Sequence, residues 1–255
     1  MINLKERLKL KQPTFGSWIN IGNQFIAEIM AQAGFEWIVV DMEHTSITFE
    51  QQQQLIQAIE LSGSVPLVRV DSNNEQSIKK ALDAGARGII IPMINTLDDA
   101  KKALSYVYYP PRGVRGVGLS RAQKYGFGFE EYKKWLSSDC VVIAQIEHVD
   151  AIRNLKEILS LDGIDAFLIG PYDLSASLGK PGDFAQKEVV KALKQVDDIS
   201  ASINATKGYH LVHPTKKGID DLLDSGYTFL ALGVDEIYLG SSCRDIIEIA
   251  KKKVG

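Results

Sequence analysis

The pattern that decides the fold lies in residues 141–173, with the sequence VVIAQIEHVDAIRNLKEILSLDGIDAFLIGPYD. The runs 141–147 and 165–170 are short, apolar and rich in β-branched residues, as buried parallel strands are. Between them, residues 149–159 have apolar side chains at helical spacing, and Asp162-Gly163 is a helix stop signal. The stretch is therefore predicted to form one β–α–β unit.

The same alternation is repeated along the whole chain. Strands are predicted at residues 14–20, 36–43, 65–70, 88–94, 141–147, 165–170, 208–213 and 229–234. Amphipathic stretches predict helices at 23–33, 49–62, 74–84, 97–105, 149–159, 185–203, 215–225 and 237–252. Eight such repeats are typical of an α/β protein with a (β/α)8 TIM barrel, expected here as one domain over residues 1–255. The competing open doubly wound sheet usually has a glycine-rich nucleotide turn after its first strand, and no such motif follows any predicted strand.

One connection in this pattern is unusually long. Residues 106–134 are rich in glycine, aromatic residues and arginine, which does not suit a disordered polar tract. Long ordered connections in compact domains are usually functional. We expect this segment to lie over the site or at a subunit interface. A second insertion is expected at residues 175–183, after the sixth strand.

The composition narrows the classes of function. A formal net charge of −3 and a pI of about 5.9 give no reason to expect binding to nucleic acid or to a membrane. The two cysteines, Cys140 and Cys243, are too few and too far apart in sequence for a disulfide scaffold or a cysteine metal site. The first residues lack the apolar core of a signal peptide, so a cytoplasmic location is expected.

Two carboxylates occupy matching positions at the ends of neighbouring strands. Glu147 and Asp173 follow the fifth and sixth predicted strands, at the edge where parallel α/β folds build their sites. Two hard oxygen donors suit Mg²⁺ or Mn²⁺ and leave positions for substrate and water. A salt bridge or a helix cap is the usual explanation for one such acid, but the pair in register favours a metal site. No lysine ends a predicted strand, which disfavours Schiff-base chemistry.

Further polar side chains are predicted at the same edge, namely Trp18, Asp41, Glu43, His44, Arg69 and Gln145. His44 lies three residues after Asp41, where a carboxylate could orient the imidazole as a general base; an ordinary surface histidine is the alternative. Arg69 is flanked by buried aliphatic residues and needs a partner. It either forms a structural ion pair with Asp41 or Glu43 or holds a substrate oxyanion, and both roles can coexist. The turn at 170–175 could cradle an anion or simply cap a helix.

Several segments together resemble the HpcH/HpaI aldolases, which are metal-dependent (class II) pyruvate aldolases. The matching segments are Gly16-Ser-Trp18, Val40-Asp-Met-Glu-His44, Val68-Arg-Val70, Ile91-Pro-Met93, residues 109–118, Gln145-Ile-Glu147, Ile169-Gly-Pro-Tyr-Asp-Leu-Ser175 and Gly233-Val-Asp235. The chain departs from the family where Tyr172, His148 and His213 replace the residues more common at those places.

The resemblance implies roles for individual residues. Glu147 and Asp173 would bind the divalent metal (Mg²⁺, Mn²⁺ or Co²⁺), Arg69 would contact the keto or enolate oxygen, and Asp41 and His44 would form the acid/base dyad. The turn containing Gly170, Pro171 and Tyr172 would hold the pyruvate carboxylate, with Trp18 and Gln145 nearby, and Arg121 would reach a neighbouring subunit. The C-terminal helix would be swapped between protomers of a homo-oligomer, often a hexamer.

The implied function is that of a carbon–carbon lyase. It would split a 4-hydroxy-2-oxo acid into pyruvate and an aldehyde through a metal-stabilised pyruvate enolate. Two alternatives stay open at this stage. One is condensation of a keto acid onto another acceptor, as in citrate-synthase-like members, and the other is a barrel that only binds a small molecule.

Overall fold

The computed structural model describes residues 2–253 and contains eight parallel strands in a closed barrel. Each strand pairs with its neighbours in sequence, and β1 closes the ring against β8. The strands are β1 Thr14–Ile19, β2 Trp37–Asp41, β3 Val65–Arg69, β4 Gly88–Ile91, β5 Val141–Ile146, β6 Ala166–Ile169, β7 Lys207–Leu211 and β8 Tyr227–Val234. The predicted (β/α)8 barrel is confirmed, with strands that end up to three residues earlier than the sequence suggested.

Twelve α-helices are present among the described residues. They are α1 Leu4–Lys9, α2 Gln24–Gln32, α3 Phe49–Leu61, α4 Glu75–Ala84, α5 Leu97–Val107, α6 Phe129–Ser138, α7 Val149–Arg153, α8 Leu155–Leu159, α9 Pro171–Ser177, α10 Lys187–Ser202, α11 Lys216–Asp224 and α12 Asp235–Lys252. Three of them, α1, α6 and α9, were not predicted, and the helix expected at 149–159 is divided at Asn154. Throughout the described part of the chain, every helix is too short or too polar to cross a membrane.

The interior of the barrel is filled by aromatic and branched side chains. The rings of Trp37 and Phe229 stack at the centre with centroids 4.1 Å apart. Gly16 makes room for this stack, because a Cβ at that position would lie 2.1 Å from the Trp37 ring. A second apolar layer lies between the strands and the helices and contains Val40, Val68 and neighbouring residues. The two layers hold the strand ends in fixed positions.

Helix α1 closes the amino end of the barrel. Leu4 and Leu8 are buried together with residues from the interior of the barrel. The carbonyl of Leu8 accepts a hydrogen bond of 2.8 Å from the Thr206 hydroxyl. Lys5 donates to the carbonyl of Cys140 at 2.8 Å. This end of the barrel therefore contributes stability, while the opposite end is left open.

The long connection after α5 packs on the outside near the amino ends of the strands. It contains a 3-10 segment, Arg121–Gly126, before α6. Arg121 donates to Glu60, at the end of α3, and to the carbonyl of Ala84, at the end of α4. In a (β/α)8 barrel the carboxyl ends of the helices lie beside the amino ends of the strands that follow them. The segment therefore lies at the amino ends of the strands, opposite the carboxyl ends where the site was expected. The expectation that it covers the chain's own site was wrong, whereas its place at a subunit interface stays a prediction.

Truncating Leu8 should destabilise the protein without changing its site. The side chain is fully buried, so Leu8→Ala should lower the free energy of unfolding by about 2–5 kcal/mol. Urea unfolding followed by circular dichroism measures this loss. Leu10→Ala is the matched control, since Leu10 is 59% exposed at the end of the same helix, and its effect should be below about 1 kcal/mol. Equal losses in both variants would show that α1 does not close the barrel.

Candidate active site

A cavity of about 220 Å³ lies at the carboxyl ends of the strands. It is lined by most of the residues that the sequence placed at this edge, namely Trp18, Asp41, His44, Arg69, Gln145, Gly170, Pro171, Tyr172 and Asp173, together with Asn20, Leu168, Ile169, His210, Val212 and Val234. Glu147 is buried beside it and is hydrogen-bonded to Gln145. Arg121 is the exception, because within one chain it lies with the ends of α3 and α4.

The guanidinium of Arg69 is held by two acids from the end of β2. Nε and Nη2 donate to the two oxygens of Asp41 at 2.9 and 2.6 Å, and Nη1 lies 3.1 Å from Glu43 Oε2. Burial opposes the charge of Arg69, but the hydrogen bonds and charge of Asp41 outweigh it and raise the pKa of the guanidinium. A guanidinium has five N–H groups, and these contacts use three of them. Two N–H groups remain for a ligand in the cavity.

Glu43 is unusual because its carboxyl group loses its proton only near neutral pH. Burial raises the pKa of Glu43 to about 7, against the opposing effect of Arg69 and with the help of the charges of Glu147, Asp41 and Asp173. Its Oε2 is enclosed and accepts no hydrogen bond of good geometry from the described residues. Four carboxyl groups thus face one arginine, and this crowding is relieved when one of them stays protonated.

His44 lies at the rim of the cavity with 62% of its side chain exposed. Its Nε2 is 3.8 Å from Glu43 Oε2, while both oxygens of Asp41 are bound to Arg69. The structure therefore brings His44 close to Glu43, and no direct hydrogen bond joins it to Asp41 among the described residues. The exposed imidazole is free to meet a ligand that enters from solvent.

The carboxylate of Glu147 is fixed from two sides. Oε1 accepts a hydrogen bond of 2.6 Å from the backbone N–H of Met93, and Oε2 accepts one from Gln145. Met93 has a left-handed backbone, with φ of 55°, which non-glycine residues adopt at a cost and which is often found at functional sites. Burial raises the pKa of Glu147, against its hydrogen bonds and with a contribution from the charge of Asp173.

These residues fit a hard divalent cation. A Cβ on Gly170 would lie 3.4 Å from Glu147 Oε2, so glycine keeps the space beside this carboxylate open. Asp173, in the first turn of α9, is exposed and adds a second carboxylate. Residues 2–253 contain no cluster of three or more His, Cys, Asp or Glu side chains arranged to hold a metal ion. Two oxygen donors with open remaining positions match a site at which substrate and water complete the coordination.

Sequence reasoning missed His210, on β7. Its ring stacks on Trp18 with centroids 4.5 Å apart and planes 14° apart, and it lines the cavity. Burial lowers the pKa of His210 to about 4, against a hydrogen bond to the backbone of Gly233 and with a contribution from the charge of Arg69. The sequence had pointed instead to His213 as the end of this strand. Because β7 ends at Leu211, His213 is exposed and does not line the cavity.

Comparison with known proteins agrees with this geometry. The family model described as HpcH/HpaI aldolase/citrate lyase matches residues 14–241. The chain belongs to this family. A 4-hydroxy-2-oxo-heptane-1,7-dioate aldolase of Salmonella typhimurium is 37% identical over 238 residues, which cover 92% of this chain and 89% of the relative. A 2-keto-3-deoxy-L-rhamnonate aldolase of Escherichia coli is 35% identical over 232 residues, 91% of this chain and 86% of the relative.

The likeness extends to the whole fold. The crystal structure of a family member from Burkholderia cenocepacia superposes with a TM-score of 0.91 at 30% identity, covering 98% of this chain and all of that one (100%). These findings confirm the predicted enzyme class: the chain is an aldolase, a carbon–carbon lyase of the pyruvate aldolase type. Its substrates are small molecules, and enzymes of this family depend on a divalent metal ion.

The proton on Glu43 should make stability depend on pH. The pKa of Glu43 is about 7 in the folded protein and near 4.5 in the unfolded chain. At pH values between 4.5 and 7, folding is therefore accompanied by the uptake of a proton. Stability conferred by that proton falls as the pH rises through this window, by at most about 1.4 kcal/mol per pH unit. Relative to the wild type, Glu43→Gln should therefore gain stability from pH 5 to pH 7 and then level off.

Urea unfolding in metal-free buffer at pH 5, 6, 7 and 8 measures this difference. Glu50→Gln is the control, since Glu50 is exposed in the first turn of α3. A constant difference between Glu43→Gln and the wild type over this range would show that Glu43 ionises normally.

Proposed function

We propose that this enzyme cleaves and forms 4-hydroxy-2-oxo acids, with pyruvate and an aldehyde as the two products of cleavage. The observation that carries this proposal is the placement of Arg69, with two unused N–H groups, in the same small cavity as Asp173 and beside Glu147. The names of the two curated relatives support it, because both describe 2-oxo acids. Cleavage of such an acid between C3 and C4 leaves negative charge on the keto oxygen of the pyruvate half.

The cavity is suited to receive that charge. A divalent cation held by Glu147 and Asp173, such as Mg²⁺, Mn²⁺ or Co²⁺, would supply Lewis-acid stabilisation of the charge on the keto oxygen. The free N–H groups of Arg69 donate to the same oxygen, and Asp41 keeps the guanidinium in place through two hydrogen bonds. Such preplaced donors act mainly on the transition state, because the charge that they meet is largest there.

The remaining residues bind the substrate and move its proton. His44 takes the proton of the C4 hydroxyl in cleavage and returns it in condensation. Its exposed position at the rim suits this role, because the aldehyde half enters and leaves on that side. Asp41 would complete the dyad through a water molecule, because no direct hydrogen bond joins its carboxylate to His44. The turn of Gly170, Pro171 and Tyr172, whose helix has no side-chain cap, holds the pyruvate carboxylate, with Trp18 and Gln145 beside it.

We further propose a cytoplasmic homo-oligomer, and a hexamer built as a dimer of trimers or a trimer of dimers is the expected form. The support is helix α12, on which Leu239, Ile246, Ile247 and Ile249 are exposed by 51–67%. Several apolar residues exposed on one helix are typical of an interaction surface. In a swapped arrangement this helix packs on another protomer, and Arg121 reaches the site of a neighbour.

Neutralising either proposed metal ligand should weaken cation binding. Glu147→Gln and Asp173→Asn each replace a charged oxygen donor by a neutral one, so the affinity for Mn²⁺ should fall by more than about tenfold, at least the loss seen for outer-shell residues. Isothermal titration calorimetry measures it, and circular dichroism checks the fold. Glu157→Gln, on α8 outside the cavity, should bind like the wild type. Full activity in excess chelator, with a lysine adduct trapped by borohydride, would overturn the metal assignment.

A product screen separates the proposed reaction from its alternatives. Pyruvate with a panel of aldehydes, followed by mass spectrometry in the presence of Mn²⁺, should give 4-hydroxy-2-oxo acids. Products formed from a keto acid and another acceptor would instead indicate citrate-synthase-like condensation. Binding of pyruvate without any product from either panel would indicate a barrel that only binds.

Replacing His44 should impair the carbon–carbon step and spare pyruvate binding. His44→Ala removes the proposed base, so turnover in cleavage should fall by about 10²–10⁴-fold. The affinity for pyruvate should change little, because Arg69 and the turn at Gly170 remain. Steady-state kinetics and calorimetry on the same variant measure the two quantities. His213→Ala is the control, since His213 is exposed outside the cavity lining. Turnover near that of the wild type in His44→Ala would remove this residue from the mechanism.

A further inference from the structure

The side chain of His210 is fixed within the wall of the cavity. Its ring lies against Trp18, and Trp18 in turn lies under the guanidinium of Arg69, whose Cζ is 5.3 Å from the indole centroid. On the other side, Nε2 of His210 is 3.2 Å from the carbonyl oxygen of Gly233. Packing and a hydrogen bond therefore set the orientation of the imidazole before any ligand binds.

The contact with Gly233 determines the tautomer. A carbonyl oxygen only accepts hydrogen bonds, so the proton of the imidazole is on Nε2 and Nδ1 has a free lone pair. This carbonyl is itself held in place: the Ser17 hydroxyl lies 3.3 Å from it, and Gly233 has a left-handed backbone with φ of 59°. A Cβ at this position would lie 2.4 Å from the Tyr238 hydroxyl, so a larger residue would displace the carbonyl.

The second nitrogen of His210 is an open acceptor. Nδ1 forms no hydrogen bond with the described residues, and these residues do not fully enclose it. Because the ring lines the cavity, we take Nδ1 to be accessible from the cavity. The lowered pKa of His210, about 4, keeps the ring neutral at physiological pH and preserves this lone pair. An acceptor in this position needs a ligand that brings a hydrogen-bond donor.

Only one half of the substrate has such a donor. The keto and carboxylate oxygens of pyruvate accept hydrogen bonds and cannot donate to Nδ1. A hydroxyl group on the aldehyde half can. A carboxylate on the aldehyde would gain nothing, since two acceptors repel each other.

We propose that His210 determines the specificity for the aldehyde, by accepting a hydrogen bond at Nδ1 from a hydroxyl group of a hydroxylated aldehyde. This inference rests on the proposed aldolase function and adds the class of aldehyde to it. The enzyme prefers a hydroxyaldehyde to an alkyl or an acidic aldehyde of similar size. Sites that hydrogen-bond a substrate hydroxyl reject analogues without it more strongly than apolar pockets reject an added group.

Glycolaldehyde and propionaldehyde test this preference, because they have the same number of non-hydrogen atoms and differ in one hydroxyl. The measurement is the ratio of kcat/KM for the two aldehydes in condensation with pyruvate. His210→Leu should lower this ratio by about five- to tenfold, the effect of one lost hydrogen bond. His210→Asn, whose amide oxygen can take the place of Nδ1, should keep most of the preference. Because only ratios are compared, intrinsic reactivity and the amount of folded enzyme cancel.

His213→Leu provides the matched control, the same substitution three residues along the chain and outside the cavity, and its ratio should equal that of the wild type. An unchanged ratio in His210→Leu would overturn the proposal. So would equal losses in the leucine and asparagine variants, which would show that ring shape rather than the acceptor decides.

Failure of the proposed function itself has a separate readout. Exchange of the pyruvate methyl protons with deuterium, followed by NMR in the wild-type enzyme with Mn²⁺, reports enolate formation without any aldehyde. Absence of both exchange and condensation would overturn the aldolase function and this inference with it. Exchange and condensation together with an unchanged ratio in His210→Leu would overturn the inference alone.

Discussion

The paired hydrogen bonds between Asp41 and Arg69 are the contact on which the arrangement of the site depends. They join the ends of β2 and β3, whose register places these two residues side by side. A buried guanidinium without such a partner would be costly, and breaking a buried pair typically destabilises a protein by about 3–5 kcal/mol. The same bonds fix the guanidinium of Arg69, which lines the cavity, while leaving part of its N–H groups unused. One interaction thus stabilises the barrel rim and prepares it for an anionic oxygen.

Much of this molecule follows from its sequence. The eight strands could be predicted because each is a short, mostly apolar run between two amphipathic stretches, and closure of the barrel then brings the strand ends together. The position of Glu147 and Asp173 at this end of the barrel could be predicted for the same reason. The partner that Asp41 binds could not be predicted from the sequence. Its carboxylate can turn toward Arg69 or toward His44, and only the three-dimensional packing selects between them.

His210 shows where pattern analysis stops. Strands of a parallel barrel are buried on both faces, so their sequences lack the alternation of polar and apolar residues that reveals which way a side chain points. The run around His210 is compatible with either face. Helix α6 was missed because it lies inside a segment whose glycines and prolines dominate its composition, although Tyr132 and Leu136 have the spacing of one buried helical face.

The crowding of acids around Arg69 has a consequence for the order of events. Asp41, Glu147 and Asp173 bring three carboxylates toward one guanidinium, and Glu43 adds a fourth when it ionises. Before a cation binds, the electrostatic potential in the cavity is therefore unfavourable to an anion such as pyruvate. A bound divalent ion would offset this negative charge. A keto acid would therefore meet less repulsion in the cavity after the cation than before it, which would favour ordered rather than random binding.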